Sequence, residues 1–470
     1  MVFSSTIFLF LFLPIVVIIS LLIPKTQYKN IFLLFVSLLF YAYGEPKFIF
    51  IMLFSIFINY ILGFLIEYTK NSRLLYRRIW LIVSVLINVG LLFYYKYYDF
   101  FIDNVNTIFG LEIPLKHIIL PIGISFFTFQ IMSYLFDLYL DRIKLQKNPL
   151  KLALYISFFP QLIAGPIVKY IDIETQIDNR SVTIDYFVEG IKRFIIGLGK
   201  KILIANSLAI IVDEIFAMPV DTLTTTLAWI GAIAFTLQIY FDFSGYSDMA
   251  IGLGYMFGFK FLENFNYPYI ARNITDYWKR WHISLTSWFR NYVYLPLSYY
   301  VNNNITVNLL IVFMLTGLWH GASWNYVIWG LWHGLFLIFE HTLKKINRKR
   351  IRLPYALTWF YAINIIIVGE VIFKVNDLSY LMDYIKVMYG LAGNGFTDIL
   401  TMKYIDQYWV VFIMAIIFST PIMKNIFTKM ENKNYSVSIG LKYTILLFIF
   451  ALSIIYTVTS TYNPFLYFQF

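Results

Sequence analysis

Five histidines are the scarce chemistry-bearing side chains of this 470-residue sequence: His117, His282, His320, His333 and His341. There is no cysteine, which removes disulfides, thiolate metal sites and a thiol nucleophile. His320 ends the apolar run Thr306–Trp319 within Gly317-Leu318-Trp319-His320-Gly321, and the pentad recurs as Gly330-Leu331-Trp332-His333-Gly334. An ionisable group inside an apolar run is a functional candidate; the plainer reading is a histidine bonded to a nearby backbone carbonyl. The two pentads are offset by 13 residues, which on a continuous helix puts the rings on different faces. With Glu340 the one acid in the following turns, no metal site is expected. His282 stands in Asp276-Tyr277-Trp278-Lys279-Arg280-Trp281-His282, followed by Ser284, Ser287, Trp288 and Arg290. Lys279, Arg280 and Arg290 suit phosphate groups, and the tryptophans offer stacking faces. The same residues also suit an amphipathic helix resting on anionic lipid headgroups. No Gly-rich phosphate loop, nucleophile elbow or paired-carboxylate motif is present.

These residues must be positioned by elements that live in lipid. Hydrophobic residues make up 60% of the chain and charged ones 13%, against about 25% charged in an average soluble domain. Apolar runs of about 20 residues, whose backbone must satisfy itself within the bilayer, predict an all-α polytopic membrane protein. Spans are expected at Ser4–Ile23, Asn30–Tyr43, Phe48–Ile66, Ile79–Tyr95, Ile118–Leu140, Pro354–Phe373, Tyr408–Ile426 and Gly440–Val458. The first exceeds a signal-peptide core and lacks a basic leader, so it is expected to be retained. The loops 67–78, 141–151 and 341–353 are basic, whereas those carrying Asp99, Asp103 and Glu112, or Asp377, Asp383, Asp398 and Asp406, are acidic or nearly neutral. The positive-inside rule makes the basic loops cytoplasmic and places both termini outside. The net charge of +11 thus reads as cytoplasmic loops rather than a nucleic-acid surface. Between Leu152 and Glu340, apolar stretches are interrupted by Pro160, Gly165-Pro166, Lys192-Arg193, Lys200-Lys201, Asp242 and Asp248. Such interruptions line a cavity or mark re-entrant segments, or else they separate ordinary helices with short connectors.

Four segments carry a resemblance. Phe158-Phe159-Pro160-Gln161-Leu162-Ile163-Ala164-Gly165-Pro166-Ile167, the run Gln238–Asp248 (QIYFDFSGYSD), Trp278–Ser284 (WKRWHIS) and Gly317–Gly321 (GLWHG) occur in this order. They resemble the membrane-bound O-acyltransferase (MBOAT) family, in the bacterial branch that includes the membrane subunit of alginate O-acetylation. The likeness covers roughly residues 30–340. It implies a funnelled helical core of about 11 transmembrane or re-entrant helices, with a tunnel from a cytoplasmic donor site to the outer face. On that plan the chain is one integral-membrane domain: N-terminal spans 1–117, catalytic core 118–341, C-terminal spans 342–458 and an outer aromatic tail 459–470. The resemblance makes His320 the match of the family's invariant histidine and His282 that of its second, more variable polar position. Where the family pattern has an Asp, this chain has Asn291, and where it shows a Gly-Gly pair this chain has Ser298-Tyr299.

The chemistry implied is acyl transfer. A thioester expels its thiolate without a strong acid, but an attacking hydroxyl must lose a proton, which suits a histidine of ordinary pKa about 6.5. His320 is expected as general base and His282 as a positioning or transition-state-stabilising donor. Lys279, Arg280, Trp281, Ser284, Arg290, Trp319, Asp242 and Asp248 are the expected donor- or substrate-binding residues. The ending Phe465-Leu466-Tyr467-Phe468-Gln469-Phe470 resembles an aromatic motif of envelope-acylation systems whose tyrosine carries the acyl group transiently. A phenol of pKa about 10 lies between thiol and sugar hydroxyl as a leaving group. Among 38 tyrosines, an interfacial anchor is the other reading of Tyr467. The resemblance further implies acetyl-CoA as donor, a polysaccharide acceptor at the cell envelope or beyond, and a separate extracytoplasmic esterase-like transferase as partner, with no bound cofactor. D-alanyl transfer to teichoic acid from a carrier-protein thioester, or a transporter or lipid flippase, are the alternatives.

Overall fold

The computed structural model describes residues 2–71, 74–301, 303–346, 353–460, 462 and 464. Among them every regular element is helical, and seven helices are long and apolar enough to cross a membrane. Phe8–Leu22 and Ile305–His320 are shorter apolar helices. The protein is an all-α polytopic membrane protein, and its exposed surface is rich in Phe, Leu and Ile, as lipid contact requires. The chain forms two compact units, Met1–Phe194 with Ser247–Glu263, and Ile195–Tyr246 with Asn264–Phe470.

Several expected boundaries move. The span placed at Ile79–Tyr95 belongs to a longer helical stretch, Leu74–Phe109, which passes through a π-helical turn at Phe93–Tyr97 and carries Asp99 and Asp103. The span expected at Ile118–Leu140 begins later, as helix Ile124–Tyr139, because Gly123 enters it in the left-handed region at φ 76°. The span expected at Tyr408–Ile426 is Ile399–Phe418. The chain turns at Ser419–Thr420, and Pro421 opens a separate helix, Ile422–Lys433, since its ring cannot continue the preceding one.

The middle of the chain divides in two. Pro160 and Gly165-Pro166 do break regular structure, leaving the short helix Phe159–Leu162. By contrast, Asp242 and Asp248 lie inside one uninterrupted helix, Thr225–Met256, whose apolar window is 78% buried. Lys200 and Lys201 sit in a π-helical stretch, Lys200–Ala205, of the continuous helical segment Ile184–Phe216. Polar residues at these places do not stop the helices because they face protein, where partners replace water.

In the first unit, helices Ile49–Tyr68 and Leu74–Leu92 are joined by a reciprocal amide pair. Asn59 Nδ2 donates to Asn88 Oδ1 at 3.1 Å and Asn88 Nδ2 donates to Asn59 Oδ1 at 2.7 Å. In the second unit, helices Ile305–His320 and Trp324–Ile346 form a tight hairpin turned at Gly321–Ser323. A Cβ on Gly317 would lie 2.1 Å from the Tyr326 carbonyl oxygen, and one on Gly330 would lie 2.2 Å from that of Phe313. The first glycine of each pentad therefore lets the two backbones touch, which is how small residues fasten helices where no hydrophobic drive exists between them.

Candidate active site

The hairpin alters the geometry expected for the two pentad histidines. They are not on one continuous helix: His320 is the last residue of the first arm, and His333 lies within the second. Both are buried and both pack against Trp329, with ring centroids at 4.9 Å for His320 and 5.1 Å for His333. His333 also stacks on Tyr277 at 5.9 Å, and neither of its ring nitrogens has a hydrogen-bond partner among the described residues.

His282 reaches the same region from a different element. Residue 282 takes a left-handed backbone, φ 41°, immediately before helix Ile283–Phe289. Two backbone bonds brace that bend: Asn266 N–H donates to the Arg280 carbonyl at 2.9 Å, and Ile283 N–H donates to that of Asn264 at 2.9 Å. A non-glycine residue held in this conformation carries strain that the surroundings must maintain, a common condition at working sites. The result is that His282 and His320, 38 residues apart in sequence, both pack against one indole. Trp319 lies 5.9 Å from His282 and 4.9 Å from His320 between ring centroids. Phe243 at 4.5 Å from His282 and Phe373 at 5.2 Å from His320 close the apolar walls.

The tautomer of His282 follows from its partner. Asn264 Oδ1 accepts from the Ser284 backbone N–H at 3.1 Å and from Ser284 Oγ at 2.9 Å, and it lies 3.2 Å from His282 Nδ1. A backbone N–H can only donate, so the amide oxygen must face it, and His282 Nδ1 must then carry the proton. Nε2 of the neutral ring is left as an acceptor, and it has no partner among the described residues. In this tautomer the Nε2 of His282 carries a lone pair.

The remaining expected residues are distributed as follows. Ser284 is bound to Asn264 as just described, and Trp281 is buried against Phe265 at 5.1 Å and Tyr277 at 5.7 Å. Arg280 is engaged by Asp276 at 2.9 Å and by the Asn266 carbonyl at 3.2 Å. Lys279 and Arg290 both line a mostly apolar groove of about 280 Å³, shared with Trp278, Phe289, Phe313 and Thr286. Asp242 pairs with Lys201 at 2.5 Å, both side chains 2% exposed. Asp248 belongs to the first unit, where Arg193 Nε binds it at 2.7 Å while the rest of the guanidinium engages Glu263. Tyr467 lies outside the described residues. No cluster of three or more metal-ligating side chains occurs among the described residues.

Sequence reasoning missed Asn264 and Lys201. Asn264 sits in an irregular loop with no periodicity to mark it, and Lys201 read as an interruption of an apolar run. It also missed Glu340 as an organiser of the site. Its carboxylate accepts from the backbone N–H groups of Ile274 at 2.6 Å and Thr275 at 3.0 Å, tying the start of the short helix Ile274–Tyr277 to the hairpin.

Residues 123–375 match the model of MBOAT, the membrane-bound O-acyltransferase family. The match includes both site histidines, Asn264 and the hairpin, and ends before Tyr467. The chain is 41% identical over 408 residues to the "probable alginate O-acetylase" of Azotobacter vinelandii, covering 85% of this chain and 80% of that one. It is 38% identical to the protein of the same description from Pseudomonas putida, over 100% of both chains. A peptidoglycan O-acetyltransferase of Helicobacter pylori is 36% identical over 84% of this chain and 80% of its own. Because the family match spans more than half of the sequence and holds the buried histidine pair, this multi-pass membrane protein belongs to the membrane-bound O-acyltransferase family and is an O-acyltransferase.

Proposed function

We propose that the protein moves an acetyl group from acetyl-CoA to hydroxyls of a cell-envelope or secreted polysaccharide. The observation that carries this reading is the buried pair His282 and His320 packed against Trp319, in a chain whose relatives include a "probable alginate O-acetylase" and a peptidoglycan O-acetyltransferase. In the transfer, the attacking hydroxyl gives its proton to an imidazole nitrogen, its oxygen bonds to the thioester carbonyl carbon, and the C–S bond breaks to release CoA thiolate, which takes up the proton. His320 serves as the general base. His282, held with Nε2 as an acceptor, orients the hydroxyl by receiving its hydrogen bond. Lys279 and Arg290 are suited to the phosphates of the donor, with the apolar groove that they line for its arm.

Tyr467 is the acyl relay in this scheme. Its phenol oxygen takes the acetyl group from the thioester, and a separate extracytoplasmic esterase-like transferase passes it to the polymer. The protein sits in the cell membrane with both termini outside, as the charged loops favour. The test is direct. His320→Ala should give a folded, inserted protein with no acetyl transfer, and turnover like that of the parent refutes the base. Mass spectrometry of the C-terminal peptide after incubation with acetyl-CoA should show one added acetyl group on Tyr467. A D-alanyl adduct from a loaded carrier protein would replace the donor, and transfer that persists in Tyr467→Phe would remove the relay.

A further inference from the structure

The end of the last helix is tied to the second unit by polar contacts that the acyl-transfer chemistry does not use. Helix Tyr435–Thr459 stops at Ser460, whose Oγ accepts from Tyr462 N–H at 3.3 Å and donates to the Tyr462 carbonyl at 3.2 Å. The Tyr462 phenol then donates to the Asp213 carboxylate, which is also paired with Lys374 at 3.2 Å. Two residues on, the Pro464 carbonyl accepts from Lys201 Nζ. A groove of about 190 Å³ runs beside these contacts, lined by Ile202, Asn206, Ile210, Tyr456, Thr459 and Tyr462.

Lys201 is the unusual member. It and Asp242 form an ion pair buried to 2% exposure on each side, and a buried pair of this kind is a weak source of stability because both charges lose their water. The ammonium is ion-paired with the Asp242 carboxylate at 2.5 Å and donates a hydrogen bond to the Pro464 carbonyl. Lys201 stands in a π-helical turn, an expansion that recurs at functional positions in helices. The two attachments also have opposite polarity. The tail donates to an acid at Tyr462 and accepts from a cation at Pro464, so sliding the segment along the groove breaks both.

We propose that Lys201, held by Asp242, and Asp213 form a clasp that docks Ser460, Tyr462 and Pro464 in one register and so fixes the position of Pro464. Lys201 is a positioning residue. Its consequence for acyl transfer rests on the reading of Tyr467 as relay: that residue is three positions past Pro464, within about 11 Å of it even for a fully extended chain.

The absence of cysteine makes docking measurable apart from catalysis. Pro464→Cys, which keeps the backbone carbonyl that Lys201 binds at a half-buried position, supplies a single cysteine that is labelled with a membrane-impermeant maleimide in purified protein, with thermal unfolding recorded alongside. In Lys201→Met/Asp242→Asn, which removes both charges together, labelling should accelerate about tenfold or more, as loss of a charge-assisted bond implies. Lys201→Arg, which keeps a cationic donor, should restore the slow rate. Tyr462→Phe alters only a tail side chain that is 37% exposed, so it remains informative if the double variant does not fold; it should label several-fold faster. Parent-like labelling in either the double variant or Tyr462→Phe overturns the clasp. Tyr467→Phe should label at the parent rate whatever becomes of transfer. Lost transfer there, with unaltered labelling in the Lys201 variants, would refute the clasp and leave the relay standing.

Discussion

Asn264→Ala isolates the device that sets the histidine tautomer. One amide oxygen serves three buried donors: His282 Nδ1 at 3.2 Å, Ser284 N at 3.1 Å and Ser284 Oγ at 2.9 Å. Leaving a buried donor unpaired costs about 1–3 kcal/mol, so a loss of about 3 kcal/mol in stability is the lower end for three. The catalytic effect comes from the first bond alone. Without it the ring is free to move its proton to Nε2, and that acceptor becomes a donor. A bias of about 1–3 kcal/mol corresponds to about 5- to 150-fold in the population of the competent tautomer. The expected result is a fall of that size in kcat, with KM for the acyl donor nearly constant because the groove at Lys279 and Arg290 is untouched. The assay is CoA release at saturating acetyl-CoA by reconstituted protein, paired with thermal unfolding. Asn264→Asp, which keeps an acceptor oxygen in place, should recover most of kcat, and Ser284→Ala, which deletes a neighbouring donor only, should stay within about twofold of the parent. A folded Asn264→Ala protein with parent-like kcat would refute the tautomer argument.

Two further outcomes follow from the fold itself. Gly317→Ala places a methyl group 2.1 Å from the Tyr326 carbonyl oxygen and should cost about 1–3 kcal/mol or more by forcing the hairpin apart, whereas Gly90→Ala, with nothing within 4 Å, should stabilise by about 0.4–1 kcal/mol. Unfolding in detergent that shifts equally for the two variants would contradict the packing role of the pentad glycine. Asp141, hydrogen-bonded and paired with Arg77 and Lys70, has its carboxyl held down at about 2. A depressed folded value means that its contribution is complete above the unfolded value of about 3.9 and is lost as pH falls from there towards about 2. The side chain is 46% exposed, so the effect is at most about 1 kcal/mol. The stability gap between the parent and Asp141→Asn should therefore shrink through this window, and a gap independent of pH would exclude the ion pairs as its source.

How much of this was legible in the sequence depends on the range of the interactions concerned. Composition and run length gave the all-helical membrane class because lipid imposes a local rule, that each span satisfies its own backbone. The pentads and the WKRWHIS segment pointed to His320 and His282 because imidazoles stand out in so apolar a chain. Where local rules failed, the cause was a tertiary partner. Asp242 read as an interruption, yet its helix runs through unbroken because Lys201 meets the charge. The repeated pentad, set 13 residues apart, read as two rings on different faces of one continuous helix, and it is instead a hairpin whose glycines press backbone on backbone. Arg280 read as a residue suited to phosphate, and Asp276 with the Asn266 carbonyl engages it.

By itself, then, the sequence determined the membrane-spanning helical class and the two histidines worth watching, since hydropathy and scarcity are properties of single residues and their near neighbours. Only the tertiary structure decided that His282 and His320 share Trp319, that Asn264 dictates which nitrogen of His282 carries the proton, and that Lys201 binds the Pro464 carbonyl. Each of these depends on groups between 18 and 263 positions apart in the chain meeting within a few ångströms, and no local pattern of residues encodes that distance.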